Sequence, residues 1–291
     1  MRRETLQVRR FSFFLFLLAA LPLIGGDVHS QAFPPTTRAE MRVARAQQAS
    51  RNVSESEEYL LGRAVAAQIL SNHPLAQDPR LQLYVNEVGQ TVARKSSRPK
   101  TYRGYHFGVL ESLEPNAFAC PGGTILITRG MLRLCANEDE LAAALAHEVA
   151  HVAHRDGINS IIKSRWAEVV AERRIAAAKE QGGRPARLAT LFEGSINDVF
   201  KAIATNGYSR VAEWAADQEA LRTLSRAGYN PRALAALLAK MVSQEKQEQR
   251  GIYRTHPHTA LRLVKVRVQV RDLTPDKMQK VRDRRFKEQK I

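Results

Sequence analysis

The most specific spacing in this 291-residue chain is His147-Glu148-Val149-Ala150-His151. In a helix, residues i and i+4 lie one turn apart on the same face, so both imidazoles can aim at a single metal ion. Glu148 is turned about 100° from His147 and borders that ion without having to ligate it, which suits a base acting on water. A catalytic zinc takes three protein ligands and keeps one position open, so a third ligand must lie downstream. The arrangement that uses a histidine ten residues after the first is excluded. That position is Gly157, and His154 stands where the arrangement needs glycine. The remaining source is a glutamate on a separate helix, and Glu213 fits, with Asp217 one turn further on the same face. A carboxylate at Asp217 can accept the spare N–H of a ligand histidine, as zinc sites require of the residues behind their ligands. His256, in Thr255-His256-Pro257, lies in a loop before a helix. It is expected to donate to an oxyanion, and a transient fourth ligand is its other reading. Three histidines on one straight helix cannot converge tetrahedrally, so His154 is structural or supporting. His73, His106 and His258 carry no such pattern.

The elements that must position these residues are mostly helical. Helical periods run from Ser56 to Leu70 and from Pro79 to Val92. Short strands follow at Tyr105 to Leu110, Asn116 to Cys120 and Thr124 to Thr128, the last two forming a hairpin around Pro121-Gly122-Gly123. Asn137 with Glu140 marks a capped start for an alanine-rich helix from Leu141 to His154. Residues 158 to 208 read as helix interrupted at Gly182-Gly183, a movable flap between the ligand-bearing helices. A further helix opens at Ser209 and stops at Gly228, and Asn230-Pro231 starts another that reaches about Met241. Val264, Val266, Val268 and Val270 alternate as a strand does, while Leu261, Val264 and Val268 fit a helix. The last twenty residues are highly charged and expected at the periphery.

Composition sets the compartment. Arg2, Arg3, Arg9 and Arg10 precede an apolar run from Phe11 to Ile24, which reads as a signal peptide cleaved before Gln31. Those 14 residues reach about 21 Å as a helix, short of a hydrocarbon core of roughly 30 Å. With 44% hydrophobic residues the chain can build a core, and its formal charge is +16. Export directs so basic a chain away from nucleic acid and towards anionic membrane surfaces or acidic polypeptides. Cys120 and Cys135 are the only cysteines, and either a disulfide or two buried thiols fits an oxidising compartment.

These residues together resemble the zinc metallopeptidase family of HtpX and the CAAX prenyl protease, and within it the soluble periplasmic branch of BepA and LoiP. The resemblance rests on Asn116-Ala117-Phe118-Ala119 with Pro121-Gly122-Gly123, on His147 to His151, on Glu213 with Asp217, and on His256-Pro257 with Arg262. It implies an α+β, predominantly helical gluzincin domain with a small sheet, holding one Zn2+ per chain. It also implies that Asn116, Ala117 and Phe118 form an edge strand that pairs with an extended substrate, a mode in which backbone bonds supply affinity with little sequence preference. The division expected is a signal peptide (1–30), a linker (31–56), a metallopeptidase domain (57–265) and a basic charged tail (266–291). The expected activity is endoproteolysis of unfolded or extended envelope polypeptides in the periplasm, or another extracytoplasmic compartment, as quality control. The competing reading is a zinc-containing holdase that grips such chains without cutting them.

Overall fold

The computed structural model describes residues 53–160, 200–245, 251–270 and 278–291. The expected signal peptide, most of the expected linker and the flap expected at Gly182-Gly183 lie outside these residues.

The first five described helices each begin where a side chain satisfies one of the first amide groups. Helix α1 (Glu55–Asn72) opens on a capping box: Ser54 Oγ accepts from Glu57 N–H, and Ser54 N–H donates to Glu57 Oε2 at 2.8 Å. Helix α2 (Pro79–Ala93) has Asp78 as its cap and Pro79 at its first position. After strands β1 (His106–Leu110), β2 (Ala117–Cys120) and β3 (Thr124–Thr128) come the short α3 (Arg129–Leu134) and the central α4 (Glu138–Ala153). Asn137 caps α4 by accepting Glu140 N–H at 2.9 Å, while Glu140 Oε2 reaches past it to Ala136 N–H at 2.8 Å. Helix α5 (Arg210–Ala227) starts on Ser209 and ends at Gly228, whose φ of 78° is a conformation glycine adopts without strain. Helices α6 (Arg232–Glu245), α7 (Ile252–Thr255), α8 (Thr259–Gln269) and α9 (Gln279–Glu288) complete the described chain. No described helix is long and apolar enough to cross a membrane.

The sheet order is β1-β3-β2, with β1 parallel and β2 antiparallel to β3, so the hairpin turns at Pro121–Gly123 as its sequence requires. The outer side of β1 is closed by three α2 amides spaced four residues apart. Gln82 exchanges two hydrogen bonds with the backbone of Val109, Asn86 does the same with Phe107, and Gln90 donates to Tyr105 C=O. Such capping removes one of the two sheet edges. β2 forms the other edge, and among the described residues it pairs only with β3. Helix α4 lies under the sheet, packed against α2, α5 and α6, with Leu141, Leu145, Val149 and Val152 buried at helical spacing.

Three expectations are resolved or corrected here. Residues 259–269 are helical, but the buried face carries Leu263, Val266 and the following Val270, while Leu261, Val264 and Val268 point to solvent. Periodicity alone could not tell which of two apolar stripes faces inward. Cys120 and Cys135 are free, buried thiols in separate hydrophobic clusters, so no disulfide joins them. The C-terminal segment is basic, yet it is not peripheral: α9 docks on the start of α4 and buries Phe286 and Arg282. Its charges are used there, because the first turn of α4 presents the buried acids Glu138 and Asp139. Arg282 meets Asp139 at 2.9 Å, and Arg285 pairs with Glu138, which also accepts from the hydroxyls of Tyr84 and Tyr229.

Removing the cation from a buried pair leaves an uncompensated charge, at a cost of about 3 to 5 kcal/mol. Arg282→Ala is therefore expected to lower unfolding free energy by roughly that amount in urea titration, and Lys287→Ala by less than about 0.5 kcal/mol. Equal effects of the two changes would show that α9 is not anchored through Asp139.

Candidate metal centre

His147 and His151 project from the same face of α4, and their Nε2 atoms stand 3.1 Å apart. Glu213, in the first turn of α5, reaches them from the side, with Oε2 at 3.4 Å from His147 Nε2 and Oε1 at 3.5 Å from His151 Nε2. His256, directly after α7, places Nδ1 3.3 Å from His147 Nε2 and 3.1 Å from Glu213 Oε1. The four candidate ligand atoms all lie within 4.8 Å of one another, on side chains that are buried. For ligand bonds of about 2.0 to 2.1 Å, tetrahedral corners are roughly 3.3 Å apart, so these separations fit a zinc-sized cation.

The protons of the imidazoles point away from this cluster. His147 Nδ1 faces Asp217 Oδ1 at 3.1 Å, and His151 Nδ1 faces Asp156 Oδ2 at 2.8 Å. An ionised carboxylate only accepts, so each Nδ1 carries a proton, and in the neutral ring each Nε2 is left with its lone pair facing inward. Arg262, reaching in from α8, balances part of the negative charge. Its Nε and Nη2 bind Asp217 at 2.8 and 2.7 Å, and its Nη1 lies 2.7 Å from Glu213 Oε2.

The titration behaviour follows from this arrangement. Burial alone raises the Glu213 carboxyl, but His256 and Arg262 outweigh it and hold the group well below the usual range. Burial likewise opposes ionisation of Asp217, while Arg262 brings it down to about 2. His151 is also disfavoured as a cation by burial, yet Asp156 and Glu213 lift it to about 10. The cluster thus prefers positive charge at its centre, because Glu148, Asp156, Glu213 and Asp217 surround it against one buried arginine. Glu148 is buried, Oε1 lies 3.5 Å from His256 Nε2, and Oε2 has no hydrogen-bond partner among the described residues.

The residues singled out in the sequence therefore gather: His147, Glu148, His151, Glu213, Asp217 and His256 all meet. Asn116 links the edge strand to them, since its Oδ1 accepts from Ala117 N–H and from Thr255 Oγ1 beside His256. Ala117 and Phe118 lie on β2, at the sheet edge. His154 caps the C-terminus of α4 and stays outside the cluster. Three participants had no role assigned from the sequence. Asp156 follows the end of the helix, and only the turn at Arg155 returns it to His151. In the sequence Arg262 is only part of the motif with His256-Pro257, without a role of its own. Tyr208 stacks its ring on His151, with centroids 4.2 Å apart, and its place just before the Ser209 cap was the one available signal.

Comparison with known proteins places this geometry in a family. The sequence profile of peptidase family M48 matches residues 79–270. The Beta-barrel assembly-enhancing protease of Escherichia coli (strain K12) is 27% identical over 246 residues, which cover 81% of this chain and 48% of that protein. Mitochondrial metalloendopeptidase OMA1 of Schizosaccharomyces pombe is 29% identical, covering 63% of this chain and 51% of its own length. The Protease HtpX homolog of Methanothermobacter thermautotrophicus is 30% identical over 67% of this chain and 72% of that protein. The chain spans about half the length of the first two of these relatives. On the strength of the matched residues and of a helical, gluzincin-type fold with a small sheet, the chain belongs to peptidase family M48.

Proposed function

We propose that this chain is an exported, zinc-dependent endopeptidase that cleaves extended or misfolded polypeptides of the cell envelope. The observation that carries the proposal is the buried convergence of His147 Nε2, His151 Nε2 and Glu213 beside a base, with both Nδ1 atoms held by carboxylates. Zinc, when bound there, supplies Lewis acidity towards a carbonyl and brings the pKa of water towards roughly 7. Glu148 takes the proton of the attacking water and passes it to the leaving amine. Asp217 and Asp156 keep the two ligand imidazoles in the tautomer and orientation that the reaction needs. Asn116, Ala117 and Phe118 hold the substrate backbone along the outer edge of β2, which requires an extended chain.

The location rests on the leader-like sequence at residues 1–30 and on the resemblance to the periplasmic branch. The solvent-facing Leu261, Val264 and Val268 of α8, flanked by Lys265 and Arg267, support peripheral contact with an anionic membrane surface. Nucleic acid is not an expected partner. The holdase alternative is less well supported, because a purely structural zinc site has no use for a buried carboxylate such as Glu148 beside the ligands.

His256 has two roles with opposite consequences. The geometry favours the resting-ligand role, since Nδ1 stands among the ligand atoms at 3.3 Å from His147 Nε2. In that role an imidazole occupies the position that water and substrate must take, and a movement of the loop opens the site.

The mature protein with zinc is expected to cleave casein in a chelator-sensitive manner. Glu148→Gln should retain zinc and fold while losing at least about 10²-fold in rate, because an amide cannot accept the proton. His147→Ala and Glu213→Ala should each lose zinc on dialysis, and undiminished metal in Glu213→Ala would move the third ligand elsewhere. His256→Ala at matched zinc content should cleave casein faster than wild type. A fall of about 10² to 10³ would instead return His256 to the oxyanion role, since one preorganised donor is worth that much.

A further inference from the structure

Glu58, in the first turn of α1, is fully buried although its sequence neighbours Glu55 and Glu57 are those of a solvated helix start. A carboxylate is buried only where it is paired and hydrogen-bonded. Arg98 binds both of its oxygens, at 2.9 and 3.2 Å, and Arg155 Nε lies 3.0 Å from Oε2. The backbone N–H of Gly122 donates to Oε1 at 3.2 Å.

Two of these partners belong to the elements that frame the metal centre. Arg155 follows the last turn of α4 and has φ of 58°, a left-handed conformation that a side chain with a Cβ resists. That turn is what brings the next residue, Asp156, to His151 Nδ1 at 2.8 Å. Gly122 lies in the turn that ends β2. There α1 packs so closely that a Cβ on Gly62 would stand 1.7 Å from Pro121 C=O, and one on Gly122 2.6 Å from the Tyr59 backbone. The third partner, Arg98, reaches the same helix end, with Nη1 3.4 Å from Val152 C=O.

We propose that Glu58 is a positioning residue for the metal centre. Through Arg155 it holds the left-handed turn that sets Asp156 against His151, and through Gly122 it fixes the end of the substrate strand. One buried charge thereby ties the metal-bearing helix to the sheet edge. This inference rests on the metal-centre reading given above.

The test measures zinc affinity of the purified mature chain by competition with a chromophoric chelator, together with KM and kcat on an extended reporter peptide. Arg155→Gly removes the guanidinium while glycine accepts the left-handed turn, so the fold should survive. Its zinc affinity should fall by about 10- to 100-fold, the usual cost of removing support behind a ligand, with KM unchanged. Asp156→Asn should fall similarly, and the double variant no further than Asp156→Asn alone, because both changes break one link. Glu58→Ala should weaken zinc and also raise KM, since only it loses the bond to Gly122. If Glu58→Ala does not fold, Glu58→Gln, which keeps the side chain's shape and drops its charge, takes its place and should weaken zinc in the same direction. Zinc affinity within threefold of wild type in Arg155→Gly, or additive losses in the double variant, would overturn the proposal. A wild-type chain that binds no zinc would overturn the metal-centre reading instead.

Discussion

Two ring nitrogens facing each other at 3.1 Å cannot both carry protons, and the surroundings of His147 and His151 are built to keep both protons on the far side of the rings. Asp217 and Asp156 do this from opposite directions, one from a neighbouring helix and one from the turn beyond α4. With Glu148 and Glu213 also present, the centre concentrates negative charge in a place where water cannot screen it. Arg262 offsets part of that charge by bridging Glu213 and Asp217, and the lone pairs left pointing inward ask for a further cation. The need to satisfy these buried charges explains why α4, α5 and α8 must meet at this point.

The same requirement for complete pairing organises the rest of the domain. The backbone of β1 is satisfied by amides from α2, which leaves β2, among the described residues, as the edge without a second strand beside the candidate metal centre. A sheet closed on one side directs any added strand to the other. Asn116 and Thr255 then connect the start of β2 to the loop that carries His256, so strand and loop share one hydrogen-bonded junction. At the far end of α4, Glu138 and Asp139 are held by α9, and the helix that carries both candidate ligand histidines is thus anchored at both ends by buried carboxylate and arginine pairs.

Local interactions made much of this readable in advance. Asn137, Ser209 and Gly228 mark helix ends because a cap acts within three or four residues, and the spacing of His147 with His151 acts over one helical turn. Glu213 was reachable as a candidate because a catalytic zinc takes a third ligand and a second carboxylate, Asp217, stands one turn further on. The inward face of α8 was not accessible, since Leu263 and Val266 and the exposed Leu261 and Val264 make equally regular apolar stripes. The docking of α9 was hidden for a different reason. Arg282 and Arg285 look like solvated charges until Asp139 and Glu138, over 140 residues earlier, are brought beside them.

The sequence by itself determined the hairpin, the helical framework and the candidate ligands and base, because each depends on contacts along one element or on the spacing that a bound ion would demand. The tertiary structure decided which carboxylates stand behind the histidines, which sheet edge the amides of α2 close, and where the arginines spend their charge. It also decided that Cys120 and Cys135 remain apart in different clusters, although both were available for a bond. Those outcomes depend on pairs brought together across long stretches of chain, and a buried charge finds its partner by burial and proximity, which no spacing along the sequence encodes.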